Sequence, residues 1–177
     1  SAAGLDCPLL VMDTAPAAVL GALLDPVAAA PARKLVANIG NFHALAFRLG
    51  PHGIEGLFEH HTGEINRARL EELLRQLADS SLRHEDVFED MGHGALIYDP
   101  QPMPLGAGAF DVAVTGPRRN LLRGGSLRPY FAAPFGDMML TGCFGLLRAF
   151  ADHFPDCRES LLDSLSGASR AAAPWEG

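Results

Sequence analysis

The stretch KLVANIGNFHALAFRLGPHGIEGLFE, residues 34–59, decides the fold, because three apolar segments in it are separated by short turns. The pattern predicts strands over Lys34–Ile39, Ala44–Leu49 and Ile54–Glu59, with turns at Gly40–Asn41 and Gly50–Gly53. Connections this short join antiparallel neighbours, since a parallel crossover needs about a dozen residues or more. The stretch therefore predicts a three-stranded antiparallel meander.

Helical patterns lie on both sides of this meander. The first helix is predicted to begin at Asp13 or Thr14 and to end at Leu24, after a short strand at Leu9–Met12. The second is predicted over Arg67–Ala78, where leucines recur at helical spacing: Leu70, Leu73, Leu74 and Leu77. Because these leucines share one side of the helix, we expect it to cover one face of the sheet.

The second half of the chain predicts further short elements. Strands are predicted at Ala95–Tyr98, Val112–Thr115 and, as an edge strand, Arg128–Ala132. Helices are predicted over Gly136–Ala151, where Gly142 and Gly145 would permit close packing of another backbone, and over Asp156–Leu165. Together the elements predict a single domain over residues 1–165, followed by a flexible tail at 166–177.

Composition excludes several classes of protein. The chain has 177 residues, 48% of them hydrophobic and 20% charged, which is typical of one globular domain. A net charge of −7 argues against nucleic acid or an anionic membrane as partner, because both attract basic surfaces. The three cysteines, Cys7, Cys143 and Cys157, are too widely spaced for a disulfide framework or zinc ribbon. With no signal-peptide pattern and no membrane-spanning apolar run, we expect a cytoplasmic protein.

The chain contains one lysine, Lys34. No G-x-x-x-x-G-K-[ST] sequence exists to form a P-loop, so NTPases of the Walker type are excluded. A mechanism that needs a phosphate-binding lysine must use Lys34 or do without one.

Three segments, in this order, resemble the C-terminal half of an actin-type ATPase. Asp13–Gly21 resembles the N-E-P-T-A-A-A-L-A-Y-G helix of heat-shock chaperone ATPase domains. Leu35–His43 resembles the second phosphate-binding hairpin, D-[IL]-G-G-G-T. Val112–Arg119, followed by Pro134–Cys143, resembles the adenosine motif and its succeeding helix, G-G-x-x-x and then P-x-x-A-x-x-x-G.

Two shorter segments narrow the resemblance. Asn38–Asn41 and Asp90–Gly94 are similar to an uncharacterised bacterial and archaeal family of the same superfamily. Some members of that family carry a label that relates them to pyruvate formate-lyase activating enzymes. Such chemistry needs an iron–sulfur cluster bound by closely spaced cysteines, and this sequence has none, so we do not expect that activity here.

The resemblance implies a fold, a ligand and a partner. The fold is a ribonuclease-H-like mixed sheet flanked by helices, with a three-stranded antiparallel meander and parallel strands, and it forms one half of an actin-like ATPase. The implied ligand is ATP with Mg²⁺, and the implied partner is an N-terminal domain of the same, longer protein. The residues implied to bind the ligand are Asn38, Gly40, Asn41, His43, His61, Gly63, Gly116, Arg118 and Arg119.

The hairpin departs from the family pattern at the positions that matter for catalysis. Asn38 stands where the family has an aspartate, and His43 stands where it has a threonine. A neutral amide is a poor ligand for Mg²⁺. We therefore expect a nucleotide- or phosphate-binding domain that does not hydrolyse ATP by itself.

Two other functions stay open at this point. The first is a non-catalytic interaction domain that keeps the fold and packs its cleft face on a partner domain or on another copy of the chain. The second is a metal-dependent hydrolase in which His60 or His61 shares an ion with His93, with further candidate ligands at His84–Asp86 and Asp90. Because no pair of histidines has H-x-x-x-H spacing, we expect these side chains to line the cleft as hydrogen-bonding groups without a metal.

Overall fold

A computed structural model describes residues 7–166 as a six-stranded mixed sheet flanked by helices. The strands are β1 (Lys34–Ile39), β2 (His43–Gly50), β3 (Gly53–His61), β4 (Gly92–Ile97), β5 (Val112–Thr115) and β6 (Pro129–Phe131). The helices are α1 (Thr14–Ala22), α2 (Pro26–Ala29), α3 (Arg67–Asp79), α4 (His84–Phe88), α5 (Thr141–His153) and α6 (Pro155–Ser166). Short 3₁₀ turns lie at Arg119–Leu122 and Pro134–Gly136.

The strand order is β4-β3-β2-β1-β5-β6. Strands β1 to β4 pair antiparallel with their neighbours, whereas β5 is parallel to β1 and β6 is parallel to β5. From β1 the chain continues to β2, toward one edge of the sheet, and from β5 it continues to β6, toward the other edge. The carboxyl ends of β1 and β5 therefore form a topological switch point, where open α/β sheets commonly bind ligands.

The predicted meander is confirmed. Strand β1 has the predicted bounds, while β2 and β3 are longer than predicted and reach His43 and His61. The start of the first helix is also confirmed, because the Asp13 carboxylate accepts a hydrogen bond from Ala15 N at 3.1 Å. This is the expected N-cap interaction.

Several boundaries predicted from the sequence were wrong. Leu9–Met12 is not a strand: Leu9 and Val11 are 64% and 83% exposed, and the segment pairs with no described strand. The helix predicted from Gly136 begins five residues later, at Thr141, because Phe135 and Gly136 adopt positive φ angles that a helix does not allow. Helix α6 includes Ser166, and the rest of the predicted tail lies outside the described residues.

Helix α3 covers one face of the sheet, as predicted. Its four leucines are at most 1% exposed and share a core with residues of β1, β3 and β5, among them Leu35, Phe58 and Val112. Burying each leucine contributes about 2 kcal/mol of transfer free energy. These contacts fix α3 over the meander.

A buried arginine joins α3 to the sheet. Arg48 of β2 is fully buried and donates to Leu77 O at 2.8 Å and to Ala78 O at 3.1 Å, so its charge caps the carboxyl end of α3. It also donates to Asp99 O, and its Nε lies 3.3 Å from the Glu55 carboxylate. Glu55 is the extra residue at an irregularity of the β2–β3 register, which brings its carboxylate to the arginine.

Helix α1 covers the opposite face, and α5 crosses α1 closely. Val19 and Ala22 of α1 belong to a second core with Val36 and Ala113 of the sheet. At the crossing, Gly145 confirms the predicted close approach, because a Cβ there would lie 1.8 Å from Ala17 O. The same prediction for Gly142 was wrong, since a Cβ at that position would meet no atom within 4 Å.

Candidate functional site

A small cavity opens at the switch point between β1 and β5. Asn38 of β1 and Thr115 of β5 are paired in the parallel register, near the carboxyl ends of both strands. The cavity has a volume of about 110 Å³, and its walls include Asn38, Thr115, Gly116, Met139, Thr141 and Gly142. We refer to it as the β1–β5 cavity.

The polar groups of the β1–β5 cavity suit an anion. The Thr115 hydroxyl is buried and has no hydrogen-bond partner among the described residues. Helix α5 begins at the cavity with Thr141, whose N–H donates to Met138 O at 3.2 Å. Just before it, the Asp137 carboxylate accepts from Met139 N at 2.7 Å and from Leu140 N at 3.3 Å. The next N–H groups of the first turn have no partner within the helix, and a helix amino terminus carries partial positive charge, which attracts anions.

Gly116 allows the backbone after β5 to pass close to the end of β1. Its φ is 97°, and a Cβ there would lie 2.4 Å from Ile39 O and 2.7 Å from Asn38 Oδ1. Arg118 N–H donates to Ile39 O at 2.9 Å, which ties the end of β5 to the end of β1. Glycine at this position therefore allows the two loops to approach each other and places Gly116 beside Asn38.

The two predicted arginines lie outside the cavity wall. The Arg118 side chain is exposed, and Arg119 Nη1 donates to Gly116 O at 3.4 Å. Neither arginine is among the residues that line the β1–β5 cavity. Ligand contact by Arg118 or Arg119 stays a prediction.

Gly40, which the resemblance implies to bind the ligand, closes the turn between β1 and β2 instead. Gly40 N–H donates to His43 O at 2.9 Å, which closes the turn. That amide is therefore committed to the hairpin and does not donate to a phosphate in this conformation. Asn41, His43, His61 and Gly63 line a separate open pocket of about 580 Å³ with Phe42, Glu64 and Met91.

Three histidines meet beside that pocket. His43 and His61 are direct cross-strand partners on β2 and β3, and His93 of β4 lies next to both. Their ring centroids are 4.5–5.0 Å apart, and one ring nitrogen of each lies within 4.8 Å of the others. We call His43, His61 and His93 the histidine triad.

His60 does not belong to the triad, and its proposed pairing with His93 was wrong. Strand alternation points His60 to the opposite face, where it is fully buried. Its Nδ1 donates to His61 O at 3.0 Å, and its Nε2 lies 3.4 Å from Asp90 Oδ2. The Arg69 side chain, which donates to Asp90 at 2.6 Å, lowers the pKa of Asp90.

The other proposed metal ligands near residue 85 contact neighbouring side chains of their own segment. Asp86 pairs with Arg83 at 2.8 Å, and this hydrogen bond lowers the pKa of Asp86. The His84 ring stacks on Phe88 within α4. Neither His84 nor Asp86 is in the group of described residues that could hold a metal ion.

Lys34 lies at the opposite end of β1 from the switch point. It is the first residue of the strand, whereas Asn38 is the fifth. The Lys34 Nζ donates to Ala29 O, at the end of α2, at 2.5 Å. Burial lowers the pKa of Lys34. The single lysine is therefore a structural group and does not reach the β1–β5 cavity.

Thr115 is the site residue that the sequence reasoning missed. The signal was present, because Thr115 is a polar residue that ends an otherwise apolar, buried strand, Val112–Thr115. Polar residues at carboxyl strand ends of α/β sheets commonly face ligands. Its partner position opposite Asn38 needed the sheet register.

These features define a mixed α/β domain with an anion-suited cavity at a switch point and an open histidine triad. The chain belongs to the family described as "Putative pyruvate format-lyase activating enzyme (DUF1786)", whose model matches residues 2–121. The family is classed as a domain of unknown function. Neither the curated proteins nor the solved structures contain a match. Within residues 7–166, every helix is too short or too polar to cross a bilayer.

Proposed function

We propose that this chain is the phosphate-binding half of a protein with the actin-like ATPase fold, and that its sheet is of the ribonuclease-H type. The strand order supports this proposal. An antiparallel meander, β3-β2-β1, is continued by the parallel strands β5 and β6, with β4 added at the other edge. The resemblance implies the meander and the parallel strands, and β4 is an addition to that arrangement.

The observation that carries the proposal is the Thr115 hydroxyl in the β1–β5 cavity, which has no hydrogen-bond partner within residues 7–166. A buried hydroxyl without a partner costs about 1–3 kcal/mol, so a bound acceptor would recover that free energy. The Asn38 amide and the first turn of α5 face the same small space. A phosphate oxygen would accept hydrogen bonds from all three.

The volume of the cavity limits what binds there. Pockets that enclose a whole small-molecule ligand commonly measure about 300–1,000 Å³, whereas this cavity measures about 110 Å³. The cavity therefore suits one phosphate group. In this proposal the nucleoside part of a nucleotide lies outside the cavity, where the resemblance implies contacts from Arg118 and Arg119.

The same residues do not suit Mg²⁺. Asn38 supplies a neutral amide, and the lining of the cavity contains no carboxylate. An ion that accompanies ATP would need ligands from outside this cavity. We therefore propose phosphate binding by this chain and do not propose hydrolysis.

The cysteines do not support the activity in the description of the family. Cys7 lies before α1, Cys143 on α5 and Cys157 on α6. No group of described residues that could hold a metal ion includes a cysteine. An iron–sulfur cluster needs several converging thiolates, so we assign no step through such a cluster.

Titration of the 177-residue chain with inorganic phosphate and with ADP, followed by calorimetry, tests the proposal. We expect one phosphate site, weakened about tenfold or more in Thr115→Val, because one hydrogen bond to a charged group is lost. Thr62→Val is the matched control, since Thr62 also has a buried hydroxyl without a partner among the described residues but does not line the cavity. Both variants should unfold at a slightly higher temperature.

Two results would count against the proposal. One is no binding of phosphate or ADP at millimolar concentrations. The other is equal weakening of phosphate binding by Thr115→Val and Thr62→Val. Either result would favour the alternative of a non-catalytic interaction domain.

A further inference from the structure

We infer that the histidine triad binds one divalent transition-metal ion. The site is separate from the β1–β5 cavity and does not depend on phosphate binding. Its ligands are His43, His61 and His93, which three neighbouring strands bring to one end of the sheet.

The nitrogen positions are close to those of a metal site. Zinc binds imidazole nitrogen at about 2.0–2.1 Å in tetrahedral geometry, so two nitrogens on one ion lie about 3.4 Å apart. One nitrogen from each of the three rings already lies within 4.8 Å of the others. His43 and His93 are exposed, and small rotations of their side chains would close the remaining distance.

The backbone arranges this convergence. His43 and His61 face each other across the β2–β3 pair. In the β3–β4 pair, Glu59 is opposite Gly94 and His60 is opposite Gly92, so His93 is the extra residue of a bulge. A bulge changes the direction of a side chain, and here it brings the His93 ring to within 4.5 Å of the His61 ring.

The triad nitrogens are free to bind an ion. Within residues 7–166 none of the three rings makes a hydrogen bond, whereas His153 Nδ1 donates to Ala149 O at 2.9 Å. The rings are tilted by 42–70° to one another. Three imidazole nitrogens within 4.8 Å of one another are a donor set for a metal centre.

The donor set selects the kind of ion. Neutral imidazole prefers zinc, copper, nickel or iron over Mg²⁺ and Ca²⁺, which prefer oxygen. The Glu59 carboxylate lies 3.9 Å from His43 Nδ1 and adds a negative charge beside the site. Three protein ligands leave a further coordination position open, which water or a substrate can occupy.

Calorimetry with Zn²⁺ and absorption spectroscopy with Co²⁺ test this inference on the untagged 177-residue chain after dialysis against EDTA. We expect one ion per chain and the visible absorption of a four-coordinate Co²⁺ centre. His43→Ala, His61→Ala and His93→Ala should each weaken Zn²⁺ binding about tenfold or more. His52→Ala, in the exposed β2–β3 turn, is the matched control and should leave the affinity unchanged.

Thermal unfolding in EDTA checks that each variant folds. His43 and His93 are exposed and His61 is half-buried, so the midpoints should stay close to that of the parent. Phosphate affinity of His93→Ala should also match the parent, which separates a failure here from a failure of the proposed function. Absence of stoichiometric Zn²⁺ binding would overturn the inference. So would Zn²⁺ binding that survives all three triad variants.

Discussion

Gly21 of α1 and Gly145 of α5 are in backbone contact where the two helices cross. A Cβ at Gly145 would lie 2.6 Å from Gly21 N, and a Cβ at Gly21 would lie 1.8 Å from Thr141 O. The obstacles are backbone atoms, which cannot rotate away. This contact fixes the amino-terminal end of α5, and with it one wall of the β1–β5 cavity.

Gly145→Ala should therefore destabilise the protein by about 3 kcal/mol or more, because the helices must separate. Gly142→Ala is the control in the same helix. It meets no atom within 4 Å, so it should stabilise the fold by about 0.5–1 kcal/mol through helix propensity and should narrow the cavity. Urea unfolding gives both values, and a Gly145→Ala variant as stable as the parent would contradict the helix crossing described above.

Arg48 should be among the most sensitive residues for stability. Arg48→Met removes the hydrogen bonds to Leu77 O and Ala78 O and leaves buried acceptors unpaired, so we expect a loss of about 3–5 kcal/mol. Arg83→Met is a suitable control, since its side chain is 72% exposed and its loss should hardly change the unfolding midpoint. Similar midpoints for the two variants in urea would argue against the buried network.

Asp111 should make stability depend on pH in the acid range. The Arg128 side chain, aided by backbone N–H donors, lowers the pKa of Asp111 to about 2 from its ordinary value of 3.8. The stabilisation is thus fully present above about pH 4 and disappears as the pH falls through about 2. Because Arg128 is half-exposed, we expect Asp111→Asn to cost about 1–2 kcal/mol at neutral pH.

Urea unfolding of the parent and of Asp111→Asn between pH 7 and pH 2 measures this dependence. The difference in unfolding free energy between the two proteins should shrink toward pH 2. Asp163→Asn, on the exposed side of α6, should show no such trend. A constant difference across the range would contradict the lowered pKa.

Lys34→Met should leave phosphate binding intact. The Lys34 ammonium bonds Ala29 O at the start of β1, so its loss should cost about 1 kcal/mol of stability without changing the affinity for phosphate by more than about twofold. Calorimetry with phosphate and thermal unfolding measure the two effects. Abolished phosphate binding would show that the lysine reaches the ligand.

The chain alone should not turn over ATP. The β1–β5 cavity has no carboxylate to hold a metal-bound water, and preorganised charge around the transferred phosphoryl group dominates this catalysis. Phosphate release from ATP with Mg²⁺ should stay at background for the parent and for Asn38→Ala. Robust release that Asn38→Ala abolishes would be incompatible with this expectation.

The local elements were predictable from the sequence. Alternating apolar segments and short turns defined β1, β2 and β3, and the leucine spacing defined α3, because these patterns depend on neighbouring residues only. The positions of Asn38 and Gly116 at strand ends were also predictable from those elements. The failure at Leu9–Met12 has the same cause, since an apolar run does not reveal whether a strand partner exists.

Which side chains meet was not predictable, because it depends on how the strands pair. The bulge that brings His93 to His43 and His61 follows from how β4 pairs with β3, which no spacing in the sequence records. The pairing of Asn38 with Thr115 depends likewise on the register of two strands that are more than seventy residues apart along the chain. Both sites are products of sheet register, and register is set by packing of the whole sheet against its helices rather than by any local stretch.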